Sequence, residues 1–89
     1  RLDRQATDDM IRIGDMVFEQ GGLQEAKEIL ELALETKKDL FTIHRKLAAI
    51  YKAWGEKEKA KEELNKALQE KNDKLEEIEA VKKEILDLG

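Results

Sequence analysis

The sequence predicts an all-α chain: two similar helical hairpins and a closing helix, five helices in total. Three observations predict it. First, a shift of 34 residues lays 7–40 on 41–74 without a gap. It superposes Gly21 on Gly55, Ala26 on Ala60, Leu30 on Leu64, Ala33 on Ala67 and Leu34 on Leu68, and pairs Lys27 with Lys61, Glu28 with Glu62 and Asp39 with Asp73. Periods of this length belong mainly to helical arrays. Second, apolar residues between the turn signals recur at spacings of three and four. Third, the chain has no proline to interrupt a helix, and Gly21, Gly22 and Gly55 fall where helices should end.

Residues 1–6 lack periodicity and read as an N-terminal tail or the end of a preceding helix. Thr7 is the expected N-cap of the first helix, with Asp8 and Asp9 suited to its positive end. Met10, Ile13, Val17 and Gly21 form the apolar side, and Gly21-Gly22 closes it. The second helix is expected from about Leu23 to Thr36, with Ala26, Leu30, Ala33 and Leu34 on one side.

Asp39 is the expected N-cap of the third helix, about Leu40 to Trp54. This helix carries two apolar stripes: Ile43, Leu47, Ile50 and Trp54, and Leu40, His44, Ala48 and Tyr51. Two stripes mean contact on two sides. Gly55 ends it. The fourth helix, about Lys57 to Lys71, is highly charged outside Ala60, Leu64, Ala67 and Leu68. Lys59–Glu63 and Glu62–Lys66 are spaced for pairs worth about 0.2–0.5 kcal/mol each. Asp73-Lys74-Leu75-Glu76 has the form of a capping box opening a fifth helix. Leu75, Ile78, Val81, Ile85 and Leu88 make up its apolar side. The short loops predict antiparallel neighbours. The units are therefore a tail, 1–6; two hairpins, 7–40 and 41–74; and a capping helix, 75–89.

Composition narrows the function. The chain has 89 residues, 43% of them charged, and a net charge of −4. The acidic total argues against non-specific nucleic-acid binding. No apolar run approaches the roughly 20 residues of a membrane span. Residues 41–74 are locally basic. With neither serine nor cysteine present, nucleophilic arrangements built on them are impossible. His44 is the single histidine, with no metal-ligand spacing around it, and is read as a packing residue. No catalytic, cofactor-binding or metal-binding residue is assigned, and the chain is not read as an enzyme. Asp15 and Glu19 lie four apart on the first helix, where a solvated face is the usual meaning. Tyr51 and Trp54 lie at core spacing, which argues against a base-stacking role. The chain opens on Arg1 rather than Met, so a piece of a longer protein is expected.

The units resemble the tetratricopeptide repeat. One reads Met10-x2-Ile13-Gly14-x2-Val17, then Gly21, Ala26-x3-Leu30 and Ala33. The next reads His44-x2-Leu47-Ala48-x2-Tyr51, then Gly55, Ala60-x3-Leu64 and Ala67. Gly14 and Ala48 are expected to leave room for Ala26 and Ala60 of the neighbouring helix. Met10 and His44 stand where the family carries Trp, and Lys38 and Asn72 stand where it carries Pro. Lys82 replaces Gly14 and Ala48 in the last helix, which suggests a solvating cap. The resemblance implies a right-handed superhelical array with a concave groove lined by its first helices. That groove would accept a peptide or helix of a partner protein.

By resemblance the groove residues are Arg12, Asp15, Phe18 and Glu19 from the first helix, and Arg45, Lys46, Ala49 and Lys52 from the third. Asp8, Ile11 and Thr42 would join them, with Glu79 and Lys83 from the fifth. Arg12, Arg45, Lys46 and Lys52 form a basic track suited to an acidic partner. The family's carboxylate clamp needs Lys and Asn where Ile11 and Asp15 stand, so no such clamp is expected. Other readings are a self-associating segment of a longer repeat protein, with Ile29 and Leu32 buried by a neighbour, and an engineered repeat scaffold, which the heavy Lys/Glu content suits.

Overall fold

In a computed structural model, which describes residues 4–89, five helices follow one another. They are α1 (Arg4–Glu19), α2 (Leu23–Leu34), α3 (Leu40–Ala53), α4 (Lys57–Leu68) and α5 (Leu75–Leu88). No strand occurs among the described residues. Each helix packs on the next. Neighbours run antiparallel: Thr7, near the start of α1, reaches Thr36, just past the end of α2. His44, early in α3, likewise reaches Glu63 in the second half of α4.

Two glycines fix the hairpin turns. Gly21 and Gly55 take positive φ values of 89° and 78°, the left-handed conformation glycine adopts without steric cost. Each turn is locked by the same pair of backbone bonds. Gly22 N donates to Val17 O at 2.9 Å and Gly21 N to Phe18 O at 3.0 Å; Glu56 N donates to Tyr51 O at 2.9 Å and Gly55 N to Lys52 O at 3.0 Å. This is the Schellman arrangement, which satisfies the last carbonyls of a helix.

The expected side-chain caps are not the ones that form. Residues 1–3 of the expected tail lie outside the described residues, while 4–6 already belong to α1. Thr7 is therefore inside the helix rather than capping it. It is fully buried, its hydroxyl donates to Thr36 Oγ1 at 2.7 Å, and Thr36 in turn donates to Ala33 O at 2.8 Å. A buried hydroxyl needs such a partner, and the approach of α2 supplies one that a free helix end would not. Thr36 also accepts from Lys38 N, so α2 ends at Leu34, earlier than expected. Asp39 does occupy the N-cap position of α3, but with φ 53° and no side-chain capping bond. The capping box at Asp73 does not form either. The N-cap position of α5 falls on Lys74, which makes no side-chain capping bond, and the turn before it is held by Asn72, whose Oδ1 accepts from Lys74 N at 2.7 Å and whose amide donates to Glu77 Oε1 at 2.9 Å. α4 stops at Leu68 rather than near Lys71.

Two cores share α3. The first holds Ala26, Leu30, Ala33, Ile43, Leu47 and Ile50, with Met10, Ile11, Val17, Phe18 and Trp54 against it. The second holds Phe41, Ala48, Ala60, Leu64, Ala67 and Val81, with Tyr51, Leu68, Ile78, Ile85 and Leu88 against it. The two stripes expected on α3 enter different cores. Tyr51 and Trp54 meet edge to face at 6.0 Å between ring centroids, one ring in each core.

At Gly14 it is a leucine of α2 that occupies the space: a Cβ there would lie 3.2 Å from Leu30 Cδ2 and Cγ. Residue 13 also departs from the α1 stripe. Ile13 is 44% exposed, while Leu47, 34 positions later, is buried. The i,i+4 pairs expected on α4 give way to i,i+3 pairs, Lys59–Glu56 at 3.2 Å and Lys66–Glu63 at 3.5 Å, because Glu63 turns inward. On α5, Val81 is fully buried and Lys82 is exposed, which leaves one side of the last helix open to solvent.

The loop before α3 stores backbone strain. Lys37 has φ 61°, a left-handed conformation that costs a non-glycine residue about 1–2 kcal/mol. Lys71 stands 34 positions later and is not left-handed. Lys37→Gly is expected to raise stability by about 0.5–1 kcal/mol. Lys71→Gly should leave stability unchanged or lower it. Urea unfolding midpoints of the two variants check this.

Candidate functional site

α1, α3 and α5 lie along one face, and three depressions run across it. The first, about 290 Å³, is lined by Gly14, Asp15, Phe18, Glu19, Leu30, Lys46, Ala49 and Ile50. The second, about 330 Å³, is lined by Phe41, Thr42, Arg45, Lys46, Ala49, Glu77 and Glu84. The third, about 230 Å³, is lined by Ala48, Ala49, Lys52, Leu64, Glu84 and Leu88. Ala49 lines all three, so the depressions form one trough with its low ridge at a methyl group.

Helix geometry explains the lining. α3 gives its apolar stripes to the two cores and is left with Thr42, Arg45, Lys46, Ala49 and Lys52, spaced by three and four along its third side. On α1, Asp15, Phe18 and Glu19 take the matching side. α5 was expected to add Glu79 and Lys83, but it adds Glu77, Glu84 and Leu88 instead. The reason lies in the 34-residue register. Glu77 and Glu84 stand where α3 has the buried Ile43 and Ile50. Carboxylates cannot be buried cheaply there, so the α3–α5 seam stays open and polar.

The expected basic track is largely neutralised. Lys46 Nζ donates to Asp15 Oδ2 at 2.9 Å, which ties α3 to α1. Arg45 Nη2 and Nε donate to Glu84 Oε2 at 2.6 and 3.1 Å, which ties α3 to α5. Arg12 pairs with Asp9 on its own helix at 3.0 Å and lines none of the depressions. Lys52 is exposed in the trough, with no ion-pair partner among the described residues. Ile11 packs against the first core instead of facing the groove. Facing acids decide this outcome: the cations of α3 lie between two helices that each present a carboxylate.

The structure thus brings Asp15, Phe18, Glu19, Arg45, Lys46, Ala49 and Lys52 to one trough and leaves Arg12 outside it. The floor residues Gly14, Leu30 and Ile50, and the far wall of Glu77, Glu84 and Leu88, were not read from the sequence. An acid at a register position that is apolar one unit earlier is the signal that would have found Glu77 and Glu84.

Three other features lie off this face. His44 packs against α4, but through a polar bond: its Nδ1 lies 2.8 Å from Glu63 Oε1, with both side chains 12% exposed. A polar depression of about 470 Å³ sits among the loops before α3 and α5, with charges of both signs around it. Among the described residues, no three His, Asp or Glu side chains gather as a metal site would need, and no helix is long and apolar enough to cross a membrane. Compared with known proteins, the chain matches no family model, no curated protein and no solved structure.

Burial separates two of the inter-helix pairs in strength. Arg45–Glu84 is about a third exposed on each side and should couple by roughly 0.2–1 kcal/mol. His44–Glu63 is more enclosed, and its loss should cost about 1–3 kcal/mol. Double-mutant cycles with alanine at each position, read by urea unfolding, are expected to show the larger coupling for His44–Glu63.

Proposed function

We propose that the chain is a non-catalytic protein-binding module. In this reading it is a tetratricopeptide-like array of right-handed superhelical sense, with hairpins at 7–40 and 41–74 and a closing helix at 75–89. The trough of α1, α3 and α5 takes an extended segment of a partner protein. The observation that carries the reading is Ala49, an exposed small residue on which three depressions converge. A continuous trough with an apolar floor at Phe18, Leu30 and Ile50 and charged walls suits a peptide that seats one apolar side chain and lays polar groups alongside. The 34-residue register and the matched burial of Ala26 with Ala60, Leu30 with Leu64 and Ala33 with Ala67 support the array reading. The absence of serine and cysteine supports a non-catalytic role.

The ion pairs refine the expected partner. An acidic residue of the partner must compete with Asp15 for Lys46 or with Glu84 for Arg45, and of the trough cations only Lys52 is unpaired among the described residues. Acidic groups are therefore best placed near Lys52, at the α5 end of the trough, with the apolar anchor near Phe18.

Ala49→Arg provides the test. The residue is exposed, so the fold should persist, which helicity and the unfolding midpoint verify. A displayed peptide library selected on the unaltered chain should yield binders that lose at least tenfold in affinity for Ala49→Arg. Binders that retain full affinity would place the binding surface elsewhere.

A further inference from the structure

A second surface emerges when α1 is compared with α3. Ile13 and Met16 stand 34 positions before Leu47 and Ile50. In α3 those two residues are buried in the first core, against which α2 packs. The matching position in α5, Val81, is buried too, and α4 packs on that helix. In α1, by contrast, Ile13 is 44% and Met16 52% exposed.

α2 extends the same surface. Asp15 and Phe18 turn α1 toward α3, as the Lys46 pair and the first depression show. Ile13 and Met16 each precede one of them by two residues, about 200° around the helix, and so face the opposite flank. Leu34 of α2 packs against the core shared with α3, and Leu32, two residues earlier, is turned away by the same angle and is 51% exposed. The hairpin of α1 and α2 therefore carries an apolar patch of Ile13, Met16 and Leu32 on the flank remote from α3. No helix covers it among the described residues.

We propose that this flank docks an amphipathic helix of another protein, basic on its polar side. The interior of the chain supplies the precedent for shape: each later helix with an apolar residue at this register position is packed by a helix. Backbone chemistry favours a helix on this flank. α1 and α2 have spent their backbone groups internally and offer no strand edge, and the centre of the patch is apolar where the trough has polar walls, so a segment that satisfies its own backbone bonds, as a helix does, loses least on docking here. Charge sets the sign. Glu25 and Glu28 stand exposed on α2 beside the patch, while the one lysine of that helix, Lys27, is already paired with Glu31 at 3.1 Å. Lysine or arginine on the rim of the incoming helix would complement these carboxylates.

The probe is a synthetic peptide with leucine and alanine spaced as in α2 and lysine at every other position; a second peptide carries glutamate in place of lysine. Titration into the isotope-labelled chain, followed by amide chemical shifts, should perturb residues around Ile13, Met16 and Leu32 with the lysine peptide. Met16→Glu combined with Leu32→Glu is expected to weaken that binding at least tenfold. Both sites are exposed, and helicity verifies that the fold is kept. Ala49→Arg should leave it unchanged, which separates this surface from the trough. Equal binding of the glutamate peptide, perturbation confined to the trough, or no binding would each overturn the proposal. So would dimerisation of the free chain in sedimentation that Met16→Glu abolishes, since a second copy would then be the occupant.

Discussion

Everything in this fold depends on α3 being packed from two sides. Ile43, Leu47 and Ile50 enter one core and Phe41 and Ala48 enter the other, so the two hydrophobic clusters meet in a single helix. Apolar burial is the main favourable term in folding, and a chain this small has little of it in reserve. Two clusters joined through one shared rod cohere where two separate ones would not. The demand also sorts the remaining surface of α3. With two sides committed to packing, the third is left to Thr42, Arg45, Lys46, Ala49 and Lys52. The trough is thus the part of α3 that stability does not use.

The ion pairs along the trough follow from the same geometry. α1, α3 and α5 approach each other on this face through long polar side chains, and Lys46–Asp15 and Arg45–Glu84 bridge the intervals. Pairs this exposed add little to folding. In the proposed binding reading their effect is on selectivity, because Lys46 and Arg45 are available only to a group that can displace Asp15 or Glu84. The open flank of α1 and α2 is the contrasting case. Its apolar side chains are about half exposed with no helix among the described residues covering them, and its nearby acids are on the rim.

Legibility in the sequence followed how local the governing physics is. Gly21 and Gly55 announced the turns because only glycine takes that backbone conformation without cost. The two stripes of α3 announced two contacts because side-chain direction on a helix is a matter of spacing alone. Thr7 was misread because a threonine hydroxyl accepts whichever partner the tertiary fold supplies, and α2 supplied Thr36. Asp73 was misread for a similar reason: the turn into α5 is held by the neighbouring Asn72, and the helix begins one residue later than a capping box at Asp73 requires. At the candidate site, the walls that α1 and α3 supply could be read from the sequence, and the floor and the α5 wall could not. On that face α1 and α3 keep the register, with Asp15 and Phe18 standing 34 positions before Ala49 and Lys52, whereas Glu77 and Glu84 break it.

The order of packing has a mechanical consequence. Each helix leans mainly on the next one along the chain, and among the described residues no substantial packing joins the first to the last. Tension applied at the two termini would not meet the whole molecule at once. It would strip α1 or α5 away as a short length of slack while the middle still held. The chain would lengthen in instalments, and a shallow tug could be absorbed and reversed without the centre ever letting go.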